Sequence, residues 1–413
     1  MTTETLLKYG SVTTNLAVAT MRHSGSKTLL GSLLLLYAMV YFHRVMTGVM
    51  KVEIDSIAEL YNVNANVLLA LLSSAYYYAY TIAQLFVGVL LDTYGVKRIG
   101  ALFFTILSVG TLLMLLASPA ALIIGRILIG FSASVAFLSY QRVSSLSYDK
   151  AFQGRLTSYA LMAGNFSALL ATYPLRVMLN VIGLRITLIL LAVLTFVIAV
   201  IVFAVSNDVG SEGSEGVRGT VKHIRELVRD PHIWGTSIGA AGVYGVVLSF
   251  QSAWGQKLMS EVFYLKADVS SQYLMVLVLV FALTCPVTGF LSDKVLRRRK
   301  SLLLIATLIS ATSWVLMLHS SLIGNASLLI TSIITLGVAS GLHIIVASMA
   351  KEGYDSRYSA TAVAFLNVVL FSSAAVLQTV APLISSIQSI EVHLVVSLTA
   401  IFVVWMLTRE TLS

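Results

Sequence analysis

Four arginines lie inside apolar runs of this sequence, and the most informative stands in Tyr41-Phe42-His43-Arg44. An arginine near the centre of a bilayer costs about 2.5–3.5 kcal/mol on insertion scales, which makes it a candidate functional group by default. Arg44 lies a few residues outward of the middle of its run, about 7–8 Å from the midplane at ~1.5 Å per residue. Two roles suit that position. The side chain can snorkel to the outer surface, or its planar fork can face a central cavity and grip a carboxylate or phosphate through two hydrogen bonds.

The other polar residues within apolar runs are candidates of the same kind. Arg126 suits a structural hub or a proton pathway, and Arg142 a gate charge or an interface anchor. Ser158, Asn165, Thr172 and Arg176 recur at helical spacing, hence on one face, where they either line a cavity or bond to neighbouring helices. Tyr244 and Gln251 share a face by the same rule, as do Asn367 and Gln378, and each pair either contacts a solute or packs. Trp254-Gly255 reads as an outer hinge or interfacial anchor. All 18 Asp and Glu residues fall in loops, termini or run ends. That leaves His43 and His343 as the groups able to titrate near neutral pH, with helix packing the competing role for His343.

These residues need long apolar helices to position them. The chain is 58% hydrophobic and 11% charged, against roughly 45–50% and about 25% in soluble domains. A span needs roughly 20 apolar residues, and runs fall at 29–49, 67–91, 98–117, 120–147, 152–178 and 184–205. A second six follow at 232–256, 270–292, 300–319, 326–348, 358–383 and 390–408. The expected fold is an all-α membrane protein of twelve transmembrane helices in two six-helix halves. Its parts are a tail (1–28), an N-terminal bundle (29–205), a linker (206–231), a C-terminal bundle (232–408) and a short tail (409–413). The linker begins with flexible Gly210-Ser-Glu-Gly-Ser-Glu-Gly216 and ends in a short surface helix over 217–229.

The halves share a motif. Gly88-x-Leu90-x-Asp92-x-x-Gly95-x-Lys97-Arg98 recurs in part, 201 residues later, as Gly289-x-Leu291-x-Asp293 before Arg297, Arg298, Arg299 and Lys300. Gly88 lets the second span approach a neighbour closely. Asp92 sits where the eleventh span begins near Arg357, and a carboxylate beside a helix N-terminus gains about 0.3–1 kcal/mol. The competing role for these hairpins is to fix topology alone. Of 27 Lys and Arg, 19 fall on the side of the N-terminus and four on the other. The positive-inside rule then places both termini in the cytoplasm, in a plasma or inner membrane. The net charge of +9 is membrane topology, since no soluble segment is large enough to bind nucleic acid. Cys285, alone, excludes a disulfide framework or thiolate metal cluster, and neither metal nor cofactor is expected. No signal peptide is expected either, because the first apolar run leads into the bundle.

These features resemble the major facilitator superfamily. The hairpin Gly88–Arg98 carries the resemblance, with Gly125-Arg126-x-x-x-Gly130, Gly183-Leu-Arg185 and Asp355-x-Arg357. It implies two halves that rock about a central site, and a latch of Gly88, Asp92, Gly95, Lys97, Arg98, Gly289, Asp293 and Arg357 that bridges them when the cytoplasmic side is shut. An arginine at the place of Arg44, with Tyr76-Tyr77-Tyr78-x-Tyr80-x-x-x-Gln84, is similar to the organic-anion branches, including the anion–cation symporters. His43 stands where those symporters often carry an aspartate.

The expected function is secondary transport of a small organic anion by alternating access. Arg44 is the anion ligand, Tyr80, Gln84, Asn165, Tyr244, Gln251 and Asn367 shape the pocket, and His43, Arg126 and His343 are the candidates for coupling to a proton or sodium ion. A monomer is expected. The alternative is an exporter of amphipathic or neutral compounds, peptides or amino acids, in which Arg44 pairs only with a lipid headgroup. No H-E-x-x-H, G-x-S-x-G or P-loop pattern supports an enzyme, and the linker is too short for a sensor's output domain.

Overall fold

The computed structural model describes residues 27–148, 150–206, 225–352, 354 and 359–411. Among them, ten helices are long and apolar enough to cross a membrane. The first span is Lys27–Val49, followed by a short helix, Lys51–Leu60. In Ala65–Leu113 the chain turns at Gly95, whose φ of 77° favours glycine, so 65–94 form the second span and 96–113 the third. The fourth is Pro119–Ser144. The fifth starts with Lys150–Leu170, turns at 171–172 and resumes at Tyr173. Gly183, at φ 75°, turns it into the sixth span, 184–205.

The second six are Pro231–Val262, Ala267–Phe290, Arg299–Ile323, Ala326–Ala350, Thr361–Leu383 and Ser386–Leu407. The twelve-helix expectation is met. The second and fifth spans complete the twelve.

Polar caps begin many of these helices, as orphan N–H groups in lipid require. Asn64 accepts from the N–H groups of Asn66 and Val67, and Asn325 does the same for Ser327 and Leu328. Ser385 and Gln388 form a reciprocal capping box at the twelfth span. Asp230 accepts from the His232 N–H at 2.9 Å and pairs with Arg409 at 3.2 Å.

Burial pushes the Asp230 carboxyl up, but the His232 N–H, the Tyr354 hydroxyl and Arg409 outweigh it and hold it below its ordinary 3.8. A lowered folded value stabilises the protein above the unfolded value, and that gain is lost as pH falls through the folded value. Asp230→Ala is therefore expected to cost about 1 kcal/mol at neutral pH. The difference in melting temperature should close as the pH falls below 3.8 and through the lowered folded value. A gap constant with pH, read by melting scans, would contradict this.

We call the face holding Lys27 and the chain's last residues the terminal face, and the opposite one distal. The halves pack tightly at the distal face. A Cβ on Gly48 of the first span would lie 1.9 Å from the Gln251 carbonyl oxygen of the seventh. Ser73 donates to the Ser252 carbonyl at 3.2 Å, and the Tyr78 and Thr379 hydroxyls join the second and eleventh spans at 3.2 Å. Among the described residues, no comparable packing joins Val135–Ser147 of the fourth span to Ile345–Glu352 of the tenth at the terminal face. The protein is closed distally.

The fourth-span motif has a packing basis. A Cβ on Gly125 would meet the Gly110 carbonyl oxygen at 2.6 Å, and one on Gly130 the Tyr76 carbonyl oxygen at 2.1 Å. The close approach expected at Gly88 is absent in this conformation, since Cβ atoms on Gly88 and Gly289 meet nothing within 4 Å. Both glycines lie towards the terminal face.

Candidate functional site

The first, second and eleventh spans bring an aromatic cage to Arg44. Its guanidinium carbon lies 4.4 Å from the centre of the Tyr41 ring, 5.0 Å from Phe371 and 5.7 Å from Tyr80. The residue is 3% exposed, its Nε finds no acceptor, and among the described residues no carboxylate pairs with it. The Tyr76 hydroxyl lies beside it without completing a hydrogen bond. The side chain does not snorkel. A buried cation held by ring faces gains about 2 kcal/mol or more when desolvated, which leaves its planar edge available to an anion.

Helical spacing positions the cage. Tyr41 and Arg44 are three apart, and Tyr76 and Tyr80 four apart, so each pair shares a face. Tyr41 is backed by Gly164 of the fifth span, where a Cβ would press on its ring at 3.0 Å. Tyr37 packs behind it at 5.0 Å between ring centres, with the two hydroxyls 3.1 Å apart. Tyr80 and Phe371 meet edge-on at 4.9 Å, so rings from both halves enclose the site.

The other arginines serve elsewhere. Arg126 donates from Nε to the Leu72 carbonyl at 3.0 Å and from Nη1 to the His43 carbonyl at 2.6 Å, tying the first, second and fourth spans together. That is the structural hub. Arg176 grips Glu53 with both ends of its fork, at 2.8 and 3.0 Å. It also bonds Asn180, whose amide donates to Asp268 of the eighth span at 2.8 Å. It therefore belongs to a distal network that reaches across the halves. Arg142 lies half-buried at the terminal end of the fourth span.

The remaining candidates each make contacts of their own. Gln84 donates to the Ser134 carbonyl at 3.2 Å, where the fourth span is interrupted. Asn165 is buried and Asn367 half-buried. The Gln378 amide donates to the Leu248 carbonyl at 3.1 Å. Tyr244 and Gln251 each lie in a π turn (Ala241–Gly245 and Phe250–Trp254), where the helix departs from the regular register. Tyr244 stacks on His343 at 4.3 Å and packs on Phe281 at 5.4 Å, whereas the Gln251 backbone lies against Gly48. His343 is a packed histidine whose Nδ1 meets the Ser340 carbonyl. His43 is fully buried, and neither ring nitrogen has a hydrogen-bond partner among the described residues.

Trp254 is not a surface anchor. It is fully buried among Phe250, Trp314 and His393, and its indole N–H donates to His393 at 3.3 Å. In the expected latch, Gly95 makes its turn and Lys97 lies over the Phe203 ring at 5.1 Å. Arg98 is exposed. The Asp92 and Asp293 side chains, Arg357 and the linker segment 207–224 lie outside the described residues.

Sequence reasoning passed over Tyr41, Phe371 and Glu53. Tyr41 was visible one helical turn before Arg44, and Phe371 one turn after Asn367. Nothing local marks Glu53 as the partner of Arg176, 123 residues away.

A sequence description of the Major Facilitator Superfamily matches residues 16–378. Among solved structures, a D-xylose–proton symporter superposes with a TM-score of 0.72 at 15% identity, over 94% of this chain and 98% of that one. A bacterial homologue of the human lysosomal transporter Spinster, inward-facing and unoccupied, gives 0.70 at 15% identity over 92% and 96%. Its inward-facing, occupied form gives 0.71 at 15% identity over 91% and 95%. Likeness at this identity shows the fold alone. No curated protein matches the sequence.

Proposed function

The chain belongs to the Major Facilitator Superfamily, and from that premise we propose that it is a secondary transporter of a small organic anion, held at Arg44 and moved by alternating access. The observation that carries this reading is the buried guanidinium of Arg44, caged by rings and paired with no carboxylate among the described residues. A charge buried without a partner is costly, and an anionic solute supplies that partner.

In this reading the two bundles (29–205 and 232–408) rock about the site, the linker 206–231 joins them, and the terminal face is cytoplasmic. The Lys and Arg asymmetry supports that orientation in a plasma or inner membrane. The protein works as a monomer, and a proton or sodium gradient drives accumulation. The latch around Asp92 and Arg357 closes the terminal face when the distal face opens.

Melting of the detergent-purified protein against anionic, neutral and cationic solutes tests the substrate class. A ligand specific to the folded state stabilises by about 2.7 kcal/mol at a hundredfold excess over Kd. Stabilisation by carboxylates or phosphorylated compounds alone is expected. Stabilisation by neutral or cationic compounds alone would favour the exporter reading instead.

A further inference from the structure

The charges and rings around Arg44 narrow the kind of anion, an inference that rests on the anion reading above. We propose that the site takes a monoanion whose carboxylate is carried on a flat, conjugated or aromatic body, and that it discriminates against dianions.

The charge count comes first. Arg126 directs its Nε and Nη1 to the Leu72 and His43 carbonyls and lies against the Tyr76 ring at 4.9 Å, outside the Tyr41–Phe371 cage, and Arg176 grips Glu53. Lys257, at the distal end of the seventh span, donates to the Pro382 and Ile384 carbonyls. Arg142 lies at the terminal end of the fourth span, 16 residues beyond Arg126, or roughly 20 Å or more along a helix. Arg44 is therefore the one guanidinium enclosed by the Tyr41, Tyr80 and Phe371 rings. A second carboxylate on the same ligand would be buried among those rings, away from that guanidinium.

The body follows from geometry. A carboxylate gripped edge-on lies in the guanidinium plane, and a conjugated body continues that plane. The rings that flank the guanidinium then border the ligand's own ring. Tyr41 and Phe371, the two nearest, come from opposite halves. Phe371 also meets Tyr77 at 6.0 Å and Tyr80 at 4.9 Å, so the wall beside it is aromatic too. Stacked and edge-on ring contacts favour an aromatic partner over a puckered aliphatic one of equal size.

Calorimetry on the full-length protein with four matched probes tests this. Benzoate has the charge and the flat ring, cyclohexanecarboxylate the charge without the flatness, phthalate a second carboxylate, and benzamide the ring without the charge. Benzoate is expected to bind at least tenfold tighter than each of the others, and Phe371→Leu to narrow its advantage over cyclohexanecarboxylate severalfold.

Equal affinity for benzoate and cyclohexanecarboxylate, phthalate binding as tightly as benzoate, or an unchanged ratio in Phe371→Leu would overturn the inference while leaving an anion site in place. Benzamide binding as well as benzoate, or no carboxylate binding at all, would defeat the anion reading itself.

Discussion

Replacing Gly48 with alanine is expected to hold the protein open at its distal face. The added Cβ would fall 1.9 Å from the Gln251 carbonyl oxygen and 3.2 Å from the Ser252 Cα. Both obstacles are backbone, so no rotamer change relieves the clash. Overpacking of this kind costs about 1–3 kcal/mol even where a core can adjust. Here the first span carries one side of the contact and the seventh the other, so separating the halves removes the clash. A penalty of about 2.7 kcal/mol shifts such an equilibrium roughly a hundredfold.

Spin labels at the exposed Tyr61 and Tyr264 positions, in a Cys285→Ser background, would report the distal separation. Gly48→Ala should lengthen it, while Gly88→Ala, whose Cβ meets nothing within 4 Å, should leave it as in the wild type. Gly130→Ala gives a contrasting result. Its Cβ would strike the Tyr76 carbonyl oxygen within one half, so it should lower the melting temperature and leave the distance alone. A folded Gly48→Ala protein with the wild-type distance distribution would remove the distal contact from the mechanism.

Arg44→Gln is the second large effect, and it should move binding and stability in opposite directions. Losing one partner of a desolvated charge pair typically costs about 2–5 kcal/mol, so affinity for an anionic ligand should fall about a hundredfold or more. Without ligand, the same change removes a buried charge that no carboxylate balances among the described residues. The melting temperature should therefore stay level or rise, the usual trade between activity and stability at a binding site. Arg44→Lys keeps the charge and loses the planar fork, and should fall between the two. Unchanged affinity by calorimetry, or a sharply destabilised unliganded protein, would return Arg44 to a structural role.

Much of this architecture was legible because lipid restricts what a chain can do: long apolar runs must be helices. Gly95 and Gly183, read as hairpin residues, make their turns at positive φ. The first-span arginine was legible for the same reason, since a charge has no inexpensive place in a span. What surrounds it was harder to read. Spacing places Tyr244 and Gln251 on one face, and the π turns that hold each of them leave no mark in the periodicity, which assumes a regular helix. Spacing left Arg176 open between cavity lining and helix bonding because its partner Glu53 lies on a different element. Phe371 was one apolar residue among many in an all-apolar helix, and only the packing of the two halves brings it to Arg44. Within one span, sequence carries the pattern. Between spans, the contact depends on how two helices cross, which no local pattern encodes.

The most direct test is counterflow in proteoliposomes loaded with an unlabelled aromatic monocarboxylate and diluted into a trace of the labelled compound. The wild type is expected to accumulate label transiently and saturably, and Arg44→Gln, reconstituted in equal amount, to behave as empty liposomes. Equal counterflow by the two proteins, or exchange of neutral or cationic solutes with carboxylates inert, would contradict a carboxylate transporter built around Arg44.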